Sequence, residues 1–142
     1  MTQAAVPPAV WEREAARGNL AEALVAYVRE HDGVTFAELQ HRFDPYMNVW
    51  GEMDLGPRDD ETIVYWPGMS PEFVALICGL VNERRLFGDP ATPWHYYLAG
   101  FSPRLPLAKR PPKGGYASPH WLPVCLSAQP WRPRRRGDQA LR

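Results

Sequence analysis

The sequence predicts an α+β fold, and three observations support this prediction. Apolar side chains recur at helical spacing in three segments, and each segment is preceded by a helix-capping residue. Two further segments, 62–66 and 94–99, are rich in β-branched or aromatic residues, which is typical of strands. Beyond Gly100, eight prolines predict an irregular C-terminal extension without regular helices or central strands.

The N-terminal segment 1–18 is predicted to be either a frayed arm or a short helix at 9–17, with Trp11 as its only large apolar anchor. Asn19 is a natural N-cap for the next helix, which ends near His31. The apolar stripe of that helix follows the positions i, i+3, i+4, i+7 and i+8. It consists of Leu20, Ala23, Leu24, Tyr27 and Val28.

Two more helices are predicted from capping residues and periodicity. Thr35 and Glu38 have the spacing of a capping box, and the helix that they begin ends at Asp44, which precedes a proline. Ser70 is the N-cap of the third helix of the domain, because a proline and an acid follow it in the first turn. The predicted apolar stripe of this helix consists of Phe73, Leu76, Ile77, Leu80 and Val81.

The stretch 45–69 between these two helices is predicted to be an insertion, formed by an acidic loop at 45–62 and a strand at 62–66 that Pro67 and Gly68 close. The acids of the loop are Glu52, Asp54, Asp59, Asp60 and Glu61. Large apolar residues in the loop are interpreted as core anchors, with an exposed interaction surface as the alternative. They are Met47, Trp50, Met53 and Leu55.

A β-hairpin is predicted after the third helix, from Leu86 and Phe87 to the segment 94–99. The Pro-rich segment that follows is predicted to pack as an extended strap across the globule, with disorder at 130–142. The apolar residues of the strap are Leu105, Leu107, Tyr116, Trp121, Leu122, Val124 and Leu126.

The order helix, short extension, helix, connection, helix, hairpin resembles the winged helix-turn-helix superfamily. The residues that carry the resemblance are Leu20 to Val28, the segment 33–39, Phe73 to Leu86 and the aromatic segment 94–98. The chain is thus divided into the arm 1–18, a winged-helix-like domain at 19–100 and a Pro/Trp/Arg-rich strap and tail at 101–142. The resemblance implies DNA binding, with the third helix in the major groove and the hairpin wing on the backbone.

The formal net charge of zero is the sum of two opposed halves of the chain. Residues 1–66 hold twelve acids and five arginines, whereas residues 67–142 hold eleven basic residues and four acids. The most basic stretch is 101–142, where nine Lys and Arg residues face Asp138 as the only acid. This asymmetry predicts a face or tail that meets an anionic partner, and a solvated tail is the alternative.

The sequence predicts a non-catalytic transcriptional regulator that binds DNA. The outward face of the third helix is small, neutral or acidic, so basic contacts are expected from its last turn and from the C-terminal region. The candidate DNA contacts are Asn82, Arg84, Arg85, Arg104, Lys109, Arg110, Lys113, Arg132, Arg134, Arg135 and Arg136. The alternative is a protein–protein interaction module that uses the same fold, for example on the transcription machinery. Its candidate contacts are Asp59, Asp60, Glu61, Trp121 and Trp131.

Motifs of catalysis, cofactor binding or metal binding are not found in the sequence, so an enzyme is not predicted. His41 and Asp44 are interpreted as an exposed pair at a helix end, because no third ligand accompanies them. Cys78 and Cys125 are predicted to be free buried thiols. A secretory leader and a membrane span are not recognised, so a soluble cytoplasmic protein is expected.

Overall fold

A computed structural model describes residues 6–110 and 112–130, and it confirms the α+β class. The predicted disorder at 130–142 falls, except for Pro130, outside these described residues. The helices are α1 (Val10–Ala16), α2 (Leu20–His31), α3 (Phe36–Phe43), α4 (Pro71–Asn82) and α5 (Pro93–Tyr97). The strands are β1 (Trp50–Leu55), β2 (Ile63–Val64), β3 (Trp66–Met69), β4 (Phe87–Pro90), β5 (His120–Trp121) and β6 (Val124–Ser127).

Helices α1 to α4 pack around one group of aromatic rings. Trp11 of α1 meets Tyr27 edge to face at a centroid distance of 5.1 Å and lies 5.5 Å from Phe43. Phe43 in turn lies 6.4 Å from Phe73 of α4. We call Trp11, Tyr27, Phe43 and Phe73 the helical cluster. The three helices that the apolar periodicity predicts are therefore present, and the N-terminal segment also forms a helix, α1, which its tryptophan docks on the others.

Two of the three predicted side-chain caps are confirmed. Thr35 Oγ1 accepts a hydrogen bond from the Glu38 backbone N–H at 3.0 Å, and Ser70 Oγ accepts one from the Phe73 N–H at 3.0 Å. Asn19 occupies the N-cap position of α2, but its side chain donates to Glu14 and makes no cap hydrogen bond. Helix α2 therefore begins without a side-chain cap.

The central sheet has the order Val34, β6, β4. Strand β6 pairs antiparallel with β4 from Phe87 opposite Ser127 to Pro90 opposite Val124. On the other side of β6, Val34 forms an antiparallel bridge with Leu126. A strand from the C-terminal extension thus lies in the middle of the sheet.

The predicted hairpin between 86–87 and 94–99 is wrong, because Trp94 to Tyr97 belong to helix α5. Thr92 takes the extended N-cap conformation and Pro93 occupies the first helical turn. This start pattern outweighs the β-propensity of the aromatic residues that follow. The real partner of β4 lies more than 30 residues further along the chain.

The expectation that prolines exclude central strands beyond Gly100 is also wrong. Strand β6 occupies the proline-free window between Pro123 and Pro130, so all its backbone N–H groups remain available for pairing. The total number of prolines beyond Gly100 does not show that this segment lacks proline, so the count alone led to the wrong expectation.

The insertion contains more regular structure than the sequence predicts. Strand β1 lies within the region predicted as loop, and it pairs antiparallel with β3 through an irregular register. The predicted strand 62–66 is divided into β2 and β3, and β3 continues through Pro67 and Gly68. Proline is tolerated there because β3 pairs only with β1 among the described strands, so one of its edges needs no donor.

A second group of aromatic rings joins the insertion to the C-terminal part. Trp66 stacks on Tyr96 at 5.1 Å, and Tyr96 meets Trp121 edge to face at 5.2 Å. We call Trp66, Tyr96 and Trp121 the mixed cluster. Strand β2 pairs in parallel with β5 beside it, and Leu107 bridges to Trp121. Among the described residues, no helix has the length and apolar character needed to cross a bilayer.

Candidate nucleic-acid interface

The connection between β4 and β6, residues 91–123, carries only positive formal charge. It contains four basic residues and no Asp or Glu. All four basic residues are exposed. They are Arg104, Lys109, Arg110 and Lys113. We call these residues the basic loop, and they are four of the eleven DNA contacts that the sequence predicts.

The backbone on both sides of the basic loop is anchored to the rest of the protein. The Ala108 N–H donates to the Trp121 carbonyl at 2.7 Å, and the Tyr116 N–H donates to Thr62 Oγ1 at 3.0 Å. The Lys109 N–H donates to the Tyr116 hydroxyl at 3.2 Å, and the Tyr116 ring stacks on His120 at 3.7 Å. The side chains of the basic loop therefore extend from a backbone base around Ala108 and Tyr116 that these hydrogen bonds hold in place.

The acidic turn of the insertion, residues 59–61, lies beside this base. Asp60 Oδ1 accepts hydrogen bonds from the Thr62 N–H at 2.9 Å and from its hydroxyl at 2.5 Å. These bonds to the charged form hold the pKa of Asp60 below its usual value. Gly115 is needed here, because a Cβ at that position would lie 2.9 Å from Thr62 Oγ1.

The basic loop is joined to the insertion through the neutral groups of Tyr116 and Thr62, and no ion pair links it to the acidic turn within the described residues. Within residues 6–110 and 112–130 the ion pairs are Arg17 with Glu14 and Arg85 with Glu22. The exposed cations of the basic loop thus have no carboxylate partner in the described part of the chain. Their charge is available to an external anion.

The outward face of α4 offers no cation to DNA. The helix ends at Asn82, so the prediction that Arg84 and Arg85 lie in its last turn is wrong. Arg84 adopts a left-handed φ of 58° beyond the helix, and Arg85 is held by Glu22 at 2.8 Å. Val81, predicted in the apolar stripe, is 38% exposed. The exposed positions of α4 are therefore neutral or acidic.

Helix α5 exposes a group of apolar side chains that the sequence interpretation missed. Trp94 is 67% exposed, Leu98 is 84% exposed and Tyr97 is 44% exposed. The Trp94 and Tyr97 rings meet edge to face at 5.8 Å. We call these three residues the α5 patch. The sequence assigned them to a strand, and the helix-start residues Thr92 and Pro93 were the indication that could have revealed it.

Trp121 is not available to a partner, so its interpretation as a binding residue is wrong. Its side chain is 1% exposed, and its indole N–H donates to the Tyr65 carbonyl at 3.1 Å. Of the other candidate partner contacts, Asp59 and Glu61 are exposed and Asp60 is half-buried. Further candidates lie outside the described residues. They are Trp131, Arg132, Arg134, Arg135 and Arg136.

The apolar residues of the insertion are divided between core and surface. Leu55 is buried and Met47 packs against the core, as predicted. Trp50 and Met53 are each 45% exposed, so the prediction of core positions is wrong for these two. Both belong to β1, which pairs along one edge among the described strands and leaves most of its side chains in solvent.

His41 and Asp44 hold the exposed side of Trp50. The Trp50 indole N–H donates to Asp44 Oδ1 at 3.0 Å, and the His41 ring packs 5.5 Å from the Trp50 ring. In the described part of the chain, no three His, Cys, Asp or Glu side chains are grouped so that they could hold a metal ion. Cys78 and Cys125 are both free thiols.

The predicted binding residues and the exposed apolar side chains therefore fall into a basic loop, an acidic turn and an apolar α5 patch. Comparison with known proteins adds no assignment. No protein-family model matches the chain, and no characterised protein or solved structure is significantly similar to it.

Proposed function

We propose that the protein is a non-catalytic transcriptional regulator of the winged-helix type. It binds DNA mainly through the β4–β6 connection and not through α4. The observation that carries this proposal is the basic loop itself: four exposed cations on an anchored backbone, with no acid between residues 91 and 123.

The order of elements supports the winged-helix assignment. Helix α2, the bridge residue Val34, helices α3 and α4, and strands β4 and β6 follow one another as a winged-helix domain requires. The sheet order Val34, β6, β4 supports our interpretation of the β4–β6 connection as the wing. The wing of this protein is enlarged, since it includes α5 and β5, and residues 44–70 separate the second helix from the third.

The charge distribution supports a contact with the phosphate backbone. Each cation that neutralises a phosphate releases condensed counterions, so affinity falls steeply as salt rises. Four contacts would give a slope of about −3.6 in a plot of log K against log salt concentration. Base reading is expected to be weak, because α4 contains no Lys or Arg. The protein should therefore bind unrelated duplexes with similar affinity.

The test is a salt titration of binding to a random duplex, with a matched pair of charge variants. Lys109→Gln/Arg110→Gln/Lys113→Gln removes three cations from the basic loop. Arg13→Gln/Arg17→Gln/Arg29→Gln removes three exposed cations from α1, its C-cap and α2. The first variant should lose about 2.7 units of salt slope, whereas the second should bind almost as the parent does. Equal effects of both variants, or no salt-dependent binding by the parent, would exclude the proposed interface.

A second candidate function, protein–protein interaction, is favoured by the α5 patch. Trp94 on α5 is 67% exposed and Leu98 at the C-cap of α5 is 84% exposed, and a group of neighbouring exposed apolar side chains is typical of an interaction site. A partner could bury this patch while the acidic turn at 59–61 meets basic groups on the same partner.

Two variants separate this function from DNA binding. Trp94→Ser/Leu98→Ser should reduce recovery of a co-purifying protein and leave the salt slope on duplex DNA unchanged. Charge reversal at Asp59 and Glu61 should also weaken that recovery without unfolding the protein. If partner recovery is the same for both variants and the parent, the interaction function is contradicted.

A further inference from the structure

We infer that a groove between α4 and the central sheet binds a small organic anion with an apolar body. The groove has a volume of about 390 Å³, which lies in the range of ligand pockets in proteins. It is bounded by α4 on one side, by β4 and β6 on another, and by residues 55–65 of the insertion on the third. This site goes beyond the proposed DNA contact, which lies in the β4–β6 connection.

The floor of the groove is apolar and the rim is polar. Phe36, Ile77 and Leu126 line it and are each 1% exposed. Arg58 and Asn82, which also line it, are exposed. A molecule in the groove would thus bury an apolar body against the floor while one end stays near a guanidinium and an amide. This division matches ligand sites in which a few polar groups fix orientation.

The charge of the groove selects an anion. Arg58 is the only formally charged residue in its lining, and no carboxylate lines it within the described residues. Neither of the ion pairs found in the described part of the chain involves Arg58. A carboxylate or sulfonate can accept two parallel N–H hydrogen bonds from a guanidinium, which fixes both position and direction.

Cys78 provides a reporter inside the groove. Its half-buried thiol lines the site. Burial raises the pKa of the Cys78 thiol, and the positive charge of Arg58, which lines the same groove, partly opposes that rise. Cys125 serves as an internal control. Its Sγ contacts the Asp89 carbonyl, whereas its neighbours Val124 and Leu126 line the groove from the other face of β6.

The first experiment compares two fluorescent probes with the same apolar body. Anilinonaphthalene sulfonate carries the anionic group and N-phenylnaphthylamine lacks it. The parent protein should bind the sulfonate more tightly. Arg58→Gln should weaken the sulfonate about tenfold or more and leave the neutral probe unchanged. Arg104→Gln, which removes an exposed arginine elsewhere, should change neither. Equal affinities of both probes for the parent, or no binding of either, would overturn the inference.

The second experiment locates the site and guards against a misfolded variant. Octanoate should slow the alkylation of Cys78 by iodoacetamide in the parent, while alkylation of Cys125, followed by peptide mass spectrometry, stays unchanged. Octanol should protect Cys78 much less. Val81→Trp fills the groove from a position that is 38% exposed, so it should abolish both protection and probe binding. Val10→Trp, at an exposed position on α1, should not. Equal protection of both cysteines, or none of Cys78, contradicts the site.

Discussion

The helical cluster and the mixed cluster are both aromatic, but they are assembled in different ways. Trp11, Tyr27, Phe43 and Phe73 come from helices α1 to α4 and meet ring to ring. The three rings of the mixed cluster come from β3, α5 and β5, and each has a polar atom bonded to another segment. One half of the core is therefore fixed mainly by apolar periodicity, and the other by directional hydrogen bonds between distant segments.

The polar atoms of the mixed cluster make specific connections. The Trp66 indole donates to Gln40 Oε1 at 2.8 Å, and the Tyr96 hydroxyl donates to the Val124 carbonyl at 2.5 Å. Gln40, itself buried, donates to the carbonyls of Val49 and Gly68. A buried polar group left without a partner costs free energy, so these bonds select one arrangement of the loops. The insertion is thereby tied to α3, and α5 is tied to β6.

The largest effect is expected from the residue at the centre of the mixed cluster. Trp121→Ala should lower the free energy of unfolding by about 3–5 kcal/mol, because it leaves a cavity and orphans the Tyr65 carbonyl. Urea unfolding followed by circular dichroism measures this loss. Trp94→Ala, at a site that is 67% exposed, should cost less than about 0.5 kcal/mol. Similar losses for the two tryptophans would show that the mixed cluster does not stabilise the fold.

The second prediction concerns the hydrogen bonds around the mixed cluster and leaves its aromatic rings in place. Gln40→Leu should lower the free energy of unfolding by about 2–3 kcal/mol, because the Trp66 indole and two backbone carbonyls lose their partner. Gln129→Leu, at an exposed position, serves as the control. The measurement is again urea unfolding. A neutral effect of Gln40→Leu would mean that apolar packing alone fixes this half of the core.

The difference between the clusters also explains how much the sequence could predict. The 3.6-residue spacing of Tyr27 and its neighbours and the caps at Thr35 and Ser70 are local, so α2 to α4 could be predicted. Helix α1 was indicated only by its helix-forming residues. The pairing of β4 with β6 joins segments about 37 residues apart, and no local pattern indicates it. The helix at 93–97 was missed because aromatic composition was given more weight than a Thr-Pro start.

The candidate site was predictable in a similar, partial way. The charges of the basic loop can be read from the sequence, and so can the neutral face of α4. The anchoring of that loop on Thr62 could not be predicted, because it depends on hydrogen bonds across 54 positions. The sequence predicts that Trp121 packs against the globule within the strap, but its parallel pairing with β2 could not be predicted, because that pairing is non-local. Exposure is a property of the fold, so charge was easier to assign than apolar surface.

The third prediction concerns the single hydroxyl that the helical cluster contains. The Tyr27 hydroxyl donates to Glu38, and burial together with this bond raises the pKa of Tyr27 to about 12. Above pH 10 the unfolded chain loses this proton before the folded one does, so stability falls between pH 10 and 12. In the Tyr27→Phe variant, the decrease in the free energy of unfolding between pH 10 and 12 should be smaller by about 2 kcal/mol. Urea unfolding at pH 8, 10, 11 and 12 measures it, and parallel pH curves for parent and variant would contradict the assignment.

The smallest effect is expected at two threonines that begin helices in the two halves of the molecule. Thr35 caps α3 with a 3.0 Å hydrogen bond, whereas Thr92 stands at the N-cap of α5 without one. Thr35→Ala should therefore cost about 1 kcal/mol, and Thr92→Ala only a few tenths. Thermal unfolding of both variants beside the parent measures the difference. Thr35→Ser keeps the hydroxyl and should therefore retain most of the stability that Thr35→Ala loses. If the serine variant is as unstable as the alanine variant, the methyl group stabilises α3 and the cap does not. If Thr92→Ala loses more stability than Thr35→Ala, the assignment is wrong for both helices. In that case α5 depends on its N-cap residue and α3 depends on its packing.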